Sequence, residues 1–156
     1  MLASISGEAG AADAPVLRHP SPSYAPEAVV VAQLAALRAG DMPGVFAFAS
    51  PANKASTGPL ERFAGMLHAP SYAPLLAHGA ASTLQRTQAS ERVYMEVVAV
   101  APPAGPGGAP SGPPALYVWV LSLQDAASNF RGCWLVDSVQ ALNVEPVARW
   151  AGGGAL

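Results

Sequence analysis

The sequence predicts an α+β domain in which helices come first and a curved antiparallel sheet of about four strands follows. Up to His78, apolar residues recur every three to four positions, which is the period of a helix packed on one side. After His78 they alternate with polar residues, which is the period of a half-exposed strand. Helices that precede strands favour packing of the helices on one face of the sheet. We therefore expect a cone-like domain with apolar side chains at its centre.

The first helix is predicted to begin at Pro26, because a proline at the first helical position loses no hydrogen bond. The run Glu27–Arg38 is nearly all helix-compatible, and its length and alanines favour helix over strand despite three consecutive valines. So few polar positions indicate a helix that is covered on most sides. Gly40 is a suitable stop, since glycine readily adopts the left-handed conformation that ends many helices.

Two further helices are expected before the sheet. Asp41 is placed to cap a helix over Met42–Ala49, and the following Ser-Pro pair ends it because the residue before a proline is pushed out of the helical region. Residues 51–58 are predicted to be a loop. Pro59 then starts another helix, which Pro70 ends.

Four strands are predicted in the second half of the chain. The run from Arg92 to Val100 alternates, and we expect the face that carries Arg92, Tyr94 and Glu96 to be exposed to water. The run Tyr117–Leu123 is apolar on both faces, which indicates a central strand. The predicted strands cover residues 80–88, 92–100, 115–124 and 132–139.

Composition divides the chain into one folded domain with flexible ends. Residues 1–23 are rich in Ala, Gly, Ser and Pro without periodicity and are predicted to be a disordered arm. The folded domain is expected at 24–145, and a flexible tail at 146–156. Within the domain, residues 101–114 contain six prolines and four glycines, so we expect a mobile hairpin insertion between two strands.

The charge pattern argues against a nucleic-acid partner. The net charge is −2, Lys54 is the only lysine and the arginines are scattered, so there is no basic stripe to release counterions from phosphates. Apolar runs are much shorter than the roughly 20 residues that a membrane helix needs, and the N terminus lacks the pattern of a secretory signal. Cys133 is the only cysteine, which rules out an intrachain disulfide and favours an intracellular setting.

Motifs for the common catalytic and cofactor sites are missing from the sequence. It has no Gly-x-Ser-x-Gly turn, no phosphate-binding Gly-x-x-x-x-Gly-Lys and no His or Cys spacing typical of a metal site. Cys133 alternates within a predicted strand, so we expect a small buried apolar residue rather than a nucleophile. We therefore predict neither a metal nor a cofactor.

Several short segments are similar to those of a known family. They are Ala32–Leu37 with Gly40-Asp41, Phe46–Asn53, Thr57-Gly58-Pro59 with Arg62-Phe63, Tyr117-Val118-Trp119 with Leu121-Ser122 and Gln124, and Cys133–Val139. Over about residues 26–140 the chain resembles a family of uncharacterised proteins found in bacteria, plants and algae. That family is placed within the nuclear-transport-factor-two-like (cystatin-like) superfamily. The proline-rich insertion and both ends depart from the compact family pattern.

The resemblance implies the cone-like α+β fold, and it supplies no activity. The superfamily contains isomerases, dehydratases, carriers and dimerisation modules, so the fold alone does not decide the function. The expected compartment is intracellular, either the cytoplasm or the plastid.

The leading hypothesis is a non-catalytic binding or interaction domain. It would bind a small apolar ligand in its cavity, or use the open face of the sheet to form a homodimer or to contact a protein partner. The candidate ligand-binding residues are aromatic and methionine side chains expected near the centre, and the competing interpretation is that they only fill the core. They are Phe46, Phe48, Phe63, Met66, Tyr72, Met95, Tyr117, Trp119 and Trp134.

The alternative is a small cofactor-free isomerase or dehydratase, which needs an acid or base beside a polarising donor. Asp137 or His68 is the candidate base, and Tyr94 or Tyr117 is the candidate donor. Structural roles compete with this hypothesis. Asp137 ends a predicted strand, where a carboxylate often bonds a turn, and His68 ends a helix, where it faces the negative pole of the helix dipole.

Overall fold

A computed structural model describes residues 17–109 and 111–142, which form four helices followed by one open antiparallel sheet. This arrangement confirms the predicted α+β fold class, with the helices N-terminal to the strands. The helices are α1 (Pro26–Ala39), α2 (Met42–Ala47), α3 (Pro51–Thr57) and α4 (Leu60–Met66), and single turns of 3-10 helix lie at Ala73–Leu75 and Pro106–Gly108. The strands are β1 (Ala80–Ser90), β2 (Val93–Ala101), β3 (Ala115–Leu123) and β4 (Trp134–Leu142).

The predicted flexible ends lie mostly outside the described residues. The tail predicted at 146–156 and residues 1–16 of the predicted arm fall there. Of the described part of the arm, His19 is exposed, whereas Leu17 packs against the core. Leu17 therefore belongs to the packed part of the chain, ahead of the predicted domain boundary.

Helix α1 begins and ends where the sequence predicts. Pro26 is its first residue, and Gly40 follows its last with a φ angle of 74°, a left-handed conformation in which a side chain would be strained. The arginine in the last turn lies at the favourable end of the helix dipole. The residues that α1 buries beyond its first are Val29, Val30, Gln33 and Leu37.

Helix α2 is shorter than predicted. Asp41 caps it as expected, since its carboxylate accepts a hydrogen bond from the Gly44 amide at 3.0 Å. The helix ends at Ala47 because the chain leaves it to pair with the sheet. Ala49 forms a parallel bridge with Val136 of β4. A long-range contact therefore sets the end of this helix.

The prediction of a loop at residues 51–58 is wrong, since α3 occupies most of this segment. Backbone hydrogen bonds of 2.8 Å join Val136 to Phe48 and to Ser50, and they hold the chain just before the helix. Ser50 then caps α3, because its hydroxyl accepts a hydrogen bond from the Asn53 amide at 3.2 Å. A Ser-Pro pair ends the preceding helix, but a serine cap followed by a proline at the first helical position also starts a new one.

The sheet has the strand order β1-β2-β3-β4, and each neighbouring pair is antiparallel. Strand β3 is paired on both sides, as its apolar sequence predicts. Trp119 of β3 lies opposite Glu96 of β2 and Val139 of β4, and its side chain is completely buried. Strand β1 is exposed along its whole length at one edge of the sheet. The core therefore lies between α1 and the helix-facing side of β2, β3 and β4.

Tyr94 and Glu96 lie on the buried face of β2, which corrects the prediction that this face meets water. Both residues are 2% exposed, whereas Met95 lies on the opposite face. The Glu96 carboxylate accepts hydrogen bonds from the hydroxyls of Tyr94 and Thr83, each at 2.6 Å, and the Arg86 Nε atom lies 3.8 Å away. The alternation of β2 shows only that its two faces differ in polarity. The more polar face can be the buried one because β1 and Tyr94 supply hydrogen-bond partners for the Glu96 carboxylate.

A buried glutamine links α1 to the sheet and to α2. Gln33 Nε2 donates to the Val45 carbonyl at 2.8 Å, and Gln33 Oε1 accepts from Trp119 Nε1 at 2.8 Å. Gln33 is only 3% exposed, so both hydrogen bonds are shielded from water. A buried polar group with both partners in place fixes the relative position of the elements that it joins.

Replacing Gln33 with alanine is expected to lower the free energy of unfolding by about 2–4 kcal/mol, because it leaves a buried indole donor and a buried carbonyl without partners and opens a small cavity. Urea unfolding followed by tryptophan fluorescence measures the change. Gln85→Ala is the matched control, since Gln85 is exposed on β1 and its loss is expected to change stability by less than about 0.5 kcal/mol. Equal effects of the two substitutions would contradict the role given to Gln33.

Tyr94 makes the stability of the fold depend on alkaline pH. Its pKa is raised above its usual range, because the phenol is buried and donates a hydrogen bond to the Glu96 carboxylate. The unfolded chain ionises this tyrosine at about pH 10, whereas the folded chain keeps the proton. Above that pH the unfolded state binds fewer protons than the folded state, so the free energy of unfolding falls as the pH rises.

Tyr94→Phe is expected to lower the free energy of unfolding by about 1–3 kcal/mol at pH 8, since it removes the hydrogen bond to Glu96. The loss is expected to be smaller at pH 11, because the wild type is by then destabilised and the variant lacks the ionising group. Urea unfolding at the two pH values tests this. Tyr24→Phe, at a tyrosine whose hydroxyl has no hydrogen bond within the described residues, is the control. A loss for Tyr94→Phe that is the same at both pH values would rule out the linkage.

Candidate functional site

A cavity of about 250 Å³ lies between the helices and β4. Its inner surface is mainly apolar and is formed by buried residues of α1, α2 and β4 together with the segments around α4 and the 3-10 turn that follows. The apolar lining residues are Leu37, Val45, Phe63, Met66, Leu67, Tyr72, Leu75, Val136 and Val139. Gln33 also lines the cavity, and both the nitrogen and the oxygen of its amide make hydrogen bonds, to α2 and β3 respectively.

A polar rim borders the cavity where α3 faces β4. We define the rim as Asn53, Ser56 and Thr57 of α3 and Asp137 of β4, all of which line the cavity. Ser56 and Asp137 are exposed, whereas the other two are half-buried. The cavity thus combines a shielded apolar interior with a polar border that is open to solvent.

Hydrogen bonds to backbone carbonyls orient the α3 side chains of the rim. The side-chain Nδ2 of Asn53 donates to the Val136 carbonyl at 3.0 Å, which ties the helix to β4. The hydroxyls of Ser56 and Thr57 donate to the Asn53 carbonyl at 3.2 and 2.7 Å. Both hydroxyl protons are therefore used inside the helix, while each hydroxyl oxygen keeps lone pairs that can accept. The α3 side of the border therefore presents mainly acceptors to a ligand, whereas Ser138 and Gln140 of β4, which also line the cavity, can donate as well as accept.

Asp137 lies at an irregularity of β4. The pairing with β3 shifts between Val120 and Leu121, so that Val136 and Ser138 are paired and Asp137 is the extra residue of a β-bulge. The Asp137 carboxylate makes no hydrogen bond or ion pair within the part of the chain that the structure describes. The bulge therefore presents a carboxylate without a direct partner among the described residues at the border of the cavity.

Three of the predicted ligand-binding residues line this cavity. Phe63 and Met66 lie on α4, and Tyr72 lies just after it. The Tyr72 hydroxyl donates to the Val139 carbonyl at 3.0 Å, so it holds the wall of the cavity closed against β4. Phe46 lies behind this wall, with its ring centroid 5.0 Å from that of Phe63.

The other predicted ligand-binding residues do not line the cavity. Phe48, Tyr117 and Trp119 are at most 1% exposed and belong to the core, and Trp134 packs against it. Tyr117 supports the cavity indirectly, because its ring stacks on Tyr72 with the centroids 6.4 Å apart. Met95 lies on the opposite face of the sheet because side chains alternate along β2. It is therefore separated from the cavity.

The candidate catalytic residues are not brought together. Asp137 borders the cavity, whereas His68 follows α4, is exposed and is not among the lining residues. The hydroxyl of Tyr94 donates to Glu96, and that of Tyr117 donates to the Ser71 carbonyl at 2.8 Å. Burial raises the pKa of Tyr117. Both candidate donors are thus engaged in bonds within the fold.

Cys133 is buried, as the sequence predicts. Burial raises the pKa of its thiol, which disfavours the nucleophilic thiolate. Within residues 17–109 and 111–142 there is no group of three or more His, Cys, Asp or Glu residues arranged to hold a metal ion. None of the helices in this described part has the length and apolar character needed to cross a membrane.

An open groove, which Asp137 also lines, lies between α3 and the loop that joins β3 to β4. Lys54 lines this groove, with its ammonium 4.8 Å from the ring centroid of Phe130 and 5.8 Å from that of Phe46. Burial lowers the pKa of Lys54 from its usual value. The only lysine of the chain is therefore held by aromatic rings in the groove and does not line the cavity.

The three rim residues of α3 were missed by the sequence analysis because they lie in the segment predicted to be a loop. The signal that identifies them is the sequence Ser50-Pro51 followed by helix-compatible residues, which is typical of a capped helix start as well as of a helix end. Asp137 was predicted as a candidate catalytic base and not as part of a binding rim. Its place in a bulge depends on pairing with β3 and has no local signal.

Comparison with known proteins supplies a family. Residues 23–108 match the family model described as Domain of unknown function (DUF4864). The match includes the four described helices with β1 and β2, and it ends in the loop before β3. No curated protein and no solved structure matches the chain. The matched segment spans more than half of the 156 residues, and the chain therefore belongs to the DUF4864 family, whose function is unknown.

Proposed function

We propose that this domain binds a small, mainly apolar molecule in the cavity between its helices and β4 and does no chemistry on it. The observation that carries the proposal is the cavity itself, with an apolar interior and a polar rim. Binding sites for small molecules usually combine apolar walls with a few well-placed polar groups, and this cavity has that composition.

The volume of the cavity limits the size of the ligand. A dry apolar cavity of about 150 Å³ binds benzene, and sites for drug-sized molecules begin at about 300 Å³. At about 250 Å³, this cavity fits a single aromatic ring with a short substituent. Two polar groups of its interior, the Gln33 amide and the Tyr72 hydroxyl, already bond to the protein. A preformed site of this kind needs little reorganisation on binding.

The arrangement of the candidate catalytic groups favours binding over catalysis. A general base is effective only within hydrogen-bond reach of the reacting proton and with a donor nearby for the developing charge. Here Asp137 lies at the border of the cavity, and Tyr94 and Tyr117 donate to other groups of the fold. His68 is not among the residues that line the cavity.

The proposal includes a place for the family in the nuclear-transport-factor-two-like (cystatin-like) superfamily. The order of helices and strands and the cavity beneath the helices support it. An intracellular setting, in the cytoplasm or the plastid, is part of the same proposal, and the single cysteine supports it.

Titration with 2-phenylethanol is expected to show saturable binding with a dissociation constant of about 0.1–1 mM, since the ligand is small. The methyl groups of the four methionines, labelled with carbon-13, report the site by NMR. Met66 lines the cavity, so its signal is expected to shift, and the signal of Met95 on the opposite face of the sheet is expected to stay.

A variant that fills the cavity tests whether the ligand binds there rather than elsewhere on the protein. Val139→Phe adds volume at the cavity wall and is expected to abolish the shift of Met66. Val31→Phe adds the same volume at a position that is 61% exposed on α1 and is expected to leave binding unchanged. Binding that survives in Val139→Phe, or that never moves the Met66 signal in the wild type, would refute the proposed site.

The outer face of the sheet supports a second candidate function, which is contact with another copy of the chain. Neighbouring positions of β2 and β3 on this face carry half-buried apolar side chains, namely Met95, Val97, Leu116, Val118 and Val120. Their described partners on the flanking strands are uncharged, namely Gln85, Thr87, Ser138, Gln140 and Leu142. Two copies of such a face can meet about a twofold axis without like-charge repulsion.

Light scattering during size-exclusion chromatography is expected to show a dimer of the wild-type chain. Val118→Arg places a charge at the centre of the outer face and is expected to give a monomer, because burying an unpaired charge is strongly unfavourable. Val31→Arg makes the same change on the exposed surface of α1 and is expected to remain dimeric. A wild-type monomer at high protein concentration would exclude this second function.

A further inference from the structure

We propose that the ligand of the cavity carries a protonated amine, attached by a short chain to a single aromatic or comparable apolar group. This inference rests on the proposed function, because it names the chemical class that the same site selects. Three features of the site carry it. They are the negative charge of Asp137, the acceptor oxygens at the rim and the position of Lys54, the only lysine.

The cavity has one negative charge and no positive one among its described lining residues. Asp137 is the only acidic residue that lines it, and none of the lining residues is basic. The carboxylate has no ion-pair partner within the described residues, so its charge remains available to a ligand. A cation in the cavity is therefore attracted to Asp137, and an anion is repelled.

The rim matches a donor rather than an acceptor. The hydroxyl protons of Ser56 and Thr57 point to the Asn53 carbonyl, so their oxygens face other partners as acceptors. The carboxylate of Asp137 also only accepts. A protonated amine has three donors and no acceptor, and charge-assisted hydrogen bonds to a carboxylate are about twice as strong as neutral ones. A carboxylate on the ligand would instead meet the like charge of Asp137.

Lys54, the only lysine of the chain, is not among the residues that line the cavity. Its ammonium lies 4.8 Å from the ring centroid of Phe130 and 5.8 Å from that of Phe46, and it lines the open groove. The groove is also lined by Asp125 and Asp137, so Lys54 gives its described lining no net positive charge. The described lining of the cavity therefore offers an anionic ligand no basic group.

The expected selectivity is modest, because Asp137 is exposed and water screens its charge. An exposed ion pair with hydrogen bonds corresponds to an advantage of about three- to tenfold in the dissociation constant. Most of the affinity comes from the apolar interior, and the carboxylate adds discrimination between ligands of the same shape.

Three ligands of closely similar shape test this inference by the Met66 titration. Phenethylamine is expected to bind about three- to tenfold more tightly than 2-phenylethanol, and phenylacetate is expected to bind more weakly than the alcohol. The preference for the amine is expected to shrink between about 0.02 M and about 0.5 M NaCl, since the shorter screening length weakens the attraction.

Substitution of Asp137 tests whether its carboxylate causes the preference for the amine. Asp137→Asn is expected to bring phenethylamine and 2-phenylethanol to the same affinity, because it removes the charge that distinguishes them. Glu61→Gln removes the same charge from the exposed surface of α4, outside the cavity lining, and is expected to keep the preference. Circular dichroism establishes that both variants are folded.

The outcomes separate the two proposals. Equal affinities of the amine and the alcohol for the wild-type chain overturn the amine inference and leave the binding function standing. An unchanged preference in Asp137→Asn overturns it as well. Failure of all three ligands to move the Met66 signal instead overturns the binding function on which the inference rests.

Discussion

Backbone hydrogen bonds at Val136 join the middle of β4 to the chain between α2 and α3. Both the amide and the carbonyl of Val136 take part, so the helical segment cannot slide along the strand without losing them. Ser50 lies at this joint and caps α3, and Asn53 adds a second bond from the helix to the same carbonyl. The rim of the cavity exists only because this joint places α3 beside the bulge at Asp137.

Two polar residues within the core fix the layers on either side of this joint. Gln33 holds α1 to Trp119 of β3, and Glu96 is held by hydroxyl groups from β1 and β2. No buried side-chain nitrogen or oxygen of the described residues lacks a partner. Such groups are costly when a partner is missing, so they disfavour other alignments of the helices on the sheet.

The proposal of recognition rather than reaction rests on how the polar groups around the cavity are used. The hydroxyls of α3 at the rim donate within that helix, the Asn53 side chain donates to β4, and the Tyr117 hydroxyl bonds to another group of the fold. What remains for a ligand is an apolar interior, a polar border that includes Ser138 and Gln140, and one carboxylate. Under this proposal the site selects its ligand by shape and by charge, and both are properties of an intact molecule.

The sequence by itself determined the fold class, the ends of α1 and the central place of β3. These features follow from periodicity, from Pro26 and Gly40 and from an apolar run, all of which act through neighbouring residues. The tertiary structure alone decided that β2 buries its more polar face and that a helix follows Ser50. It also decided that Phe63 lines a cavity while Met95 lies on the opposite face. These outcomes depend on partners that are distant in the chain, so no local pattern encodes them.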